Sequence, residues 1–152
     1  MTINFQQYAE TGKAFVNKVA FELGDDDDKA KASRILLSTI RVLRAQSTFE
    51  ESMQFISQLP MAIKAVYIDG WQPGTKTGRV CHWNDFVTEV QKAHQEAYLT
   101  TSREDNSDFV DQHDCAQAIH SVFRVLKEYV SKGELEDFLL ALPVDLRDLF
   151  DE

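Results

Sequence analysis

Apolar residues fall at Phe5, Tyr8, Phe15, Val16, Val19 and Leu23. Steps of three and four recur once per helical turn, so this stretch predicts an amphipathic helix with one buried stripe. Gly12 weakens its middle by roughly 1 kcal/mol relative to Ala. Gly24, which tolerates the left-handed conformation of a helix end, is its natural stop. A second helix runs from about Lys29 to Gln46 with Ala32, Ile35, Leu36, Thr39, Ile40, Val42 and Leu43 inward. A third carries Phe55, Ile56 and Leu59. The fourth is short, has Pro60 in its first turn, and buries Ile63, Val66 and Tyr67.

The pattern then returns. Leu142-Pro143 repeats Leu59-Pro60 at a distance of 83 residues, and the same shift lays Ser38-Thr39-Ile40-Arg41-Val42-Leu43-Arg44 on Ser121-Val122-Phe123-Arg124-Val125-Leu126-Lys127. Phe55 falls on Phe138, Ile63 on Leu146, Val66 on Leu149 and Tyr67 on Phe150, with no gap from Asp25/Asp108 to the C-terminus. Cys115, Ala118, Ile119, Val122, Phe123, Val125, Leu126 and Tyr129 form the inward face of the copied second helix. The first helix matches Trp83, Phe86, Val90, Ala93 and Ala97 at a shift of 78, so five extra residues lie before the copied second helix. Polar Thr100 to Asn106 is where they fit, and disorder is predicted there.

A repeat fixes architecture before any single residue does. The expectation is an all-α helical bundle of two tandem pseudo-symmetric four-helix repeats, about eight helices. Residues 1–69 form repeat 1, 70–82 a Gly/Pro linker strap and 83–152 repeat 2. The repeats are expected to pack as one domain about an approximate two-fold axis, burying Val66, Tyr67, Trp83, Leu149 and Phe150.

Several polar residues mark helix ends. Asp28 and Asp111 occupy equivalent helix starts, where a carboxylate accepts from free backbone N–H groups and suits the helix dipole. The run Asp25-Asp26-Asp27-Asp28 lacks the alternate oxygen ligands, turn glycine and distal Glu of a calcium loop. Thr48-Phe49-Glu50-Glu51 and Ser131-Lys132-Gly133-Glu134 both match the S/T-x-x-E capping box. Hairpin geometry brings Arg41 level with Glu51, and Arg124 level with Glu134, which predicts two ion pairs of positional value.

Charge narrows the partners. Residues 1–69 hold 8 basic and 9 acidic side chains, the strap holds Lys76 and Arg79, and residues 83–152 hold 6 basic against 16 acidic, for a net −9 overall. So acidic a second repeat repels nucleic acid and anionic membranes, which are bound through clustered Lys and Arg. No apolar run approaches the ~20 residues that span a bilayer. The start Met1-Thr2-Ile3-Asn4 has no basic region or apolar core of a signal peptide. Two cysteines are too few for a disulfide framework, and a cytoplasmic protein with reduced thiols is expected.

The strap reads Asp69-Gly70-Trp71-Gln72-Pro73-Gly74-Thr75-Lys76-Thr77-Gly78. Tyr67-Ile68-Asp69-Gly70-Trp71-Gln72-Pro73 between two Leu-Pro repeats, each preceded by an Arg-Val-Leu helix, resembles the family catalogued as domain of unknown function 2267. The resemblance implies an all-α fold and a bacterial cytosolic protein, and it implies no catalytic residues.

Candidate chemistry is weak. Gly70 to Thr77 falls one residue short of the phosphate-binding pattern GxxxxGK[ST] and follows a helix instead of a strand. His113, Cys115, His120, Cys81 and His82 lack the close paired spacing of a structural zinc site, and Cys115 suits a small core position. Eight helices suggest a globin, but His94 sits in the polar surround Gln91-Lys92-Ala93-His94-Gln95-Glu96. No nucleophile–base pair stands out. No catalytic, cofactor-binding or metal-binding residue is assigned, and no cofactor is expected.

The expectation is therefore a non-enzymatic helical interaction or scaffold module, binding a protein partner or itself. The alternative is a small-ligand or cofactor carrier with a pocket between the repeats. Trp71, Lys76 and Arg79 are the candidate partner-binding residues. Trp71 is expected either to clasp the two repeats together or to stand exposed for recognition.

Overall fold

Backbone groups at helix ends need partners, and in this chain the starts of four helices have a capping side chain. The computed structural model describes residues 1–74, 80, 82–99 and 108–140, and every element among them is a helix. The first, α1 (Phe5–Glu22), is capped by Asn4, whose side chain accepts from the Gln7 N–H. Asp28 caps α2 (Lys29–Ala45) through the Lys31 N–H at 3.0 Å. Thr48 and Glu51 close a reciprocal capping box on α3 (Phe49–Ile56). Pro60 sits one residue before α4 (Met61–Ile68), in extended backbone rather than inside the first turn. After the strap come α5 (Trp83–Leu99), α6 (Gln112–Tyr129) and α7 (Lys132–Leu140).

Gly24 ends α1 as its sequence context requires. At φ +79° it lets its own N–H reach the Phe21 carbonyl while Asp25 N–H reaches back to Ala20, so two orphan carbonyls are satisfied. Asp111 caps α6 as Asp28 caps α2, accepting from Asp114 N–H at 2.8 Å. The aspartate run thus works in part as helix-start chemistry.

Four long helices make the centre. α2 packs on α5, α1 on α6, and α2 on α6, while α3 lies against α7. Exchanging α1 with α5, α2 with α6 and α3 with α7 returns the same set of neighbours. The bounds of α2 and α6 start 83 residues apart, as do those of α3 and α7, and α1 and α5 start 78 apart. Phe55 and Phe138, themselves 83 apart, stack face to face with ring centres at 4.2 Å. A residue touching its own counterpart is what an isologous two-fold contact produces.

The core is continuous through both halves. All seven inward residues predicted for α2 are buried, as are Cys115, Ala118, Ile119, Val122, Phe123, Val125 and Leu126 of α6, with Tyr129 half-buried. Tyr67 is fully buried; Val66 and Trp83 are only partly so. The stripe of α1 is shorter than expected, because Phe5 is 73% exposed. It lies about 10 Å along the axis before Gly12, where α1 packs on α4, and its ring meets Tyr8 edge-on. Leu149, Phe150, the fourth helix of the second copy and the Thr100–Asn106 insertion lie outside the described residues. Among the described residues, no helix is long and apolar enough to cross a membrane.

Gly12 is a point of close approach and not merely a weak spot. A Cβ built there would lie 2.6 Å from the Ala62 Cβ, so α1 and α4 pack backbone to backbone. Gly12→Ala gains about 1 kcal/mol of helix propensity but forces the helices apart, which costs about 1–3 kcal/mol. Net destabilisation in urea unfolding is expected, with Ala62→Gly restoring stability in the double variant. A stabilised Gly12→Ala protein would contradict this packing.

Candidate functional site

The last turn of α2, the start of α3 and the strap enclose an open groove of about 570 Å³. Arg41, Arg44, Thr48, Phe49, Trp71 and Pro73 are among its walls, and among the described residues no carboxylate side chain lines it. Each wall has a local cause. Phe49 is the first residue after the Thr48 cap, so the capping box fixes where its ring stands. Gly70, at φ +68°, turns the chain back so that the Trp71 N–H donates to the Ile68 carbonyl at 3.0 Å. The indole then stacks on Phe49 at 5.6 Å and meets the Tyr67 ring edge-on at 5.7 Å.

Arg44 holds the strap's entry. Its guanidinium donates to the carbonyls of Tyr67 at 2.7 Å and Asp69 at 2.8 Å, the last acceptors of α4. Burial, and then the neighbouring Arg41 charge, lower its pKa. Gln46, also at the end of α2, accepts from the Val80 N–H at 3.1 Å and ties down the far end. Beneath, the Tyr67 hydroxyl is 2.7 Å from Ser52 Oγ, and burial pushes its pKa up to about 12.

Of the predicted binding residues, Trp71 stands in this groove, while Lys76 and Arg79 lie outside the described residues. Trp71 is half-buried and, among the described residues, its ring rests on Phe49 and Tyr67 of its own half. The two expected ion pairs do not form. Glu51 is taken up by the Thr48 N–H, Arg124 pairs instead with Glu22 of α1 at 3.6 Å, and Glu134 accepts from Ser57 Oγ at 3.2 Å. Level position along a hairpin does not decide pairing when backbone N–H groups and a third helix compete for the same charges.

A second constellation was hidden from sequence. His94, expected in a polar surround, is 2% exposed and packs on Phe109 with ring centres at 4.8 Å. Its Nδ1 is 2.9 Å from Ser38 Oγ and its Nε2 2.8 Å from Asp108 Oδ2. Arg34 grips the same carboxylate with both arms, at 2.9 and 3.0 Å. Burial lowers the His94 pKa, with Asp108 opposing the shift. The neutral ring then donates from Nε2 to Asp108 and accepts at Nδ1. Ser, His and Asp in contact invite a hydrolytic reading, but Ser38 sits in mid-α2 at 2% exposure. A nucleophile must reach substrate. Lone spacing could not have revealed this set, since Ser38, His94 and Asp108 belong to three separate elements.

The zinc candidates are scattered: His113 is exposed, His120 packs on Trp83 at 5.1 Å, and Cys81 lies outside the described residues. Cys115 is a fully buried core residue, its pKa pushed up to about 12 by burial. No group of three or more metal-ligating side chains is placed to hold an ion among the described residues. Between α1, α2 and α6, where the two halves meet, is a cleft of about 250 Å³ lined by Glu22, Lys31, Asp108, Asp114 and Arg124 among others.

Fold and groove together define an all-α helical bundle with an aromatic, cation-edged face. The chain belongs to the family described as "Uncharacterized conserved protein (DUF2267)", whose model matches residues 12–149. Comparison with curated proteins finds no match.

The lowered His94 pKa carries a sign. Between the folded value and the usual 6.5 the unfolded chain binds the extra proton, so stability is present above pH 6.5 and is lost as pH falls below it. Urea midpoints at pH 8 and pH 5 measure this. His94→Gln, which keeps one donor and one acceptor, should lower stability by about 1–3 kcal/mol and flatten the wild-type loss. Equal pH dependence in both proteins would contradict it.

Proposed function

We propose that this protein is a non-enzymatic helical interaction module, cytoplasmic, that docks a protein partner on the strap groove. Two tandem four-helix halves, 1–69 and 83–152, would form one rigid platform, and Gly70 to Gly74 at the start of the 70–82 strap would help present the binding face. The exchange pattern among the helices and the Phe55–Phe138 stack support the two-half reading. The observation that carries the docking face is Phe49. It is 52% exposed although it opens a helix and stacks on Trp71, and Met53, one turn on, extends the apolar edge at 39%. Apolar area kept at the surface and rimmed by polar groups marks interaction sites.

The carrier reading is less well supported. The cleft between the halves, at about 250 Å³, falls below the ~300–1,000 Å³ of ligand pockets and is lined by charges of both signs. The strap groove is large enough but about half open, which would leave a small ligand largely exposed.

A photo-crosslinking residue placed at Phe49 distinguishes these readings, with the same residue at Phe21 as control, since Phe21 is also exposed but lies on α1. Irradiation in cells should give a protein adduct from position 49 that is lost with Trp71→Ala and absent from position 21. A small-molecule adduct at 49 would favour a carrier; no adduct, or equal adducts at both sites, would overturn the docking face.

A further inference from the structure

Resting on that docking face, we propose that the groove takes an acidic, extended protein segment bearing one aromatic anchor. The anchor would lie on the Phe49–Trp71 ledge and a carboxylate would pair with Arg41.

Charge is the first reason. In a chain of net charge −9, the groove is walled, among the described residues, by two arginines and by no carboxylate side chain. Arg41 and Arg44 are three residues apart, hence on one face of α2, and their mutual repulsion is part of what lowers the Arg44 pKa. Arg44 is committed to the Tyr67 and Asp69 carbonyls. Arg41 is exposed, and no ion pair engages it among the described residues. A carboxylate on Arg41 would gain a charge-assisted, bidentate contact and relieve the repulsion at once.

Shape is the second. The ledge runs from Trp71 across Phe49 toward Met53, a strip and not a cavity, which suits a chain laid along it. Single-stranded nucleic acid also combines stacking with cations, but it needs a positive groove that follows its backbone. Here Glu50 and Glu51 stand in the first turn of α3 directly beyond Phe49. The acidic segment fits better because one carboxylate contact suffices.

The test is fluorescence anisotropy with the full chain and three labelled ten-residue peptides. One is built of Glu, Asp and Ser around a central Trp; a second replaces the acids by Gln and Asn; a third replaces them by Lys. The acidic peptide should bind at least tenfold more tightly than the neutral one, and the Lys peptide not measurably. Arg41→Gln, a surface change that leaves the core intact, should weaken the acidic peptide at least fivefold, while Lys13→Gln on α1 should not. Phe49→Ala should weaken acidic and neutral peptides alike. Equal binding of acidic and neutral peptides, or indifference to Arg41→Gln, would overturn the acidic assignment. So would tighter binding of a ten-residue oligothymidylate, or of free indole-3-acetate at the affinity of the peptide. If no peptide binds while the Phe49 adduct persists, this inference fails and the docking face stands. Loss of the adduct itself removes both.

Discussion

The carboxylate of Asp108 is held from two sides, by Arg34 of α2 and by His94 of α5, and so links those two helices. Its side chain is only 8% exposed. A buried charge without partners is far too costly, so Arg34 and His94 must both be in reach whenever the chain is folded. Such a pair adds little net stability against an apolar replacement, but removing one partner costs about 3–5 kcal/mol. Its value is therefore registry: α2 cannot slide along α5 without losing Ser38–His94 or Arg34–Asp108. Around this fixed crossing the apolar stripes of α1, α2, α5 and α6 close into one core.

Much of this was legible in the chain because helices announce themselves by period. The α2 and α6 stripes, the Gly24 stop, the Asp28 and Asp111 caps and the Thr48 box each follow from a local rule, and each appears in the structure. What stayed hidden depends on which elements meet. Gly12 looks like a defect until Ala62 lies against it. His94 looks polar by its neighbours in sequence, yet the neighbours that matter are Ser38, Asp108 and Phe109. Levelling the hairpin matches Arg124 with Glu134, whereas its partner in the structure, Glu22, arrives from another helix.

The candidate site divides the same way. Trp71, an aromatic held between Gly70 and Pro73, is a signal that needs no structure. In the sequence, Phe49, its stacking partner, stands out only as part of a capping box, and Arg41 only as a partner for Glu51. The groove arises because the box points Phe49 outward and because Arg44 and Gln46, both at the end of α2, tie the strap back at two points. Its geometry is thus set by helix-end chemistry that serves folding first.

Asp108 is expected to fasten the halves into one cooperative unit. Native-state hydrogen exchange of the wild type and of Asp108→Asn tests it most directly. The slowest amides of α2, α5 and α6 should open with one common free energy, equal to that of global unfolding. Asp108→Asn should lower all three by the same amount. If the α5 and α6 amides open at lower free energy than those of α2, or if the substitution lowers only one half, the halves are independent and the account is wrong.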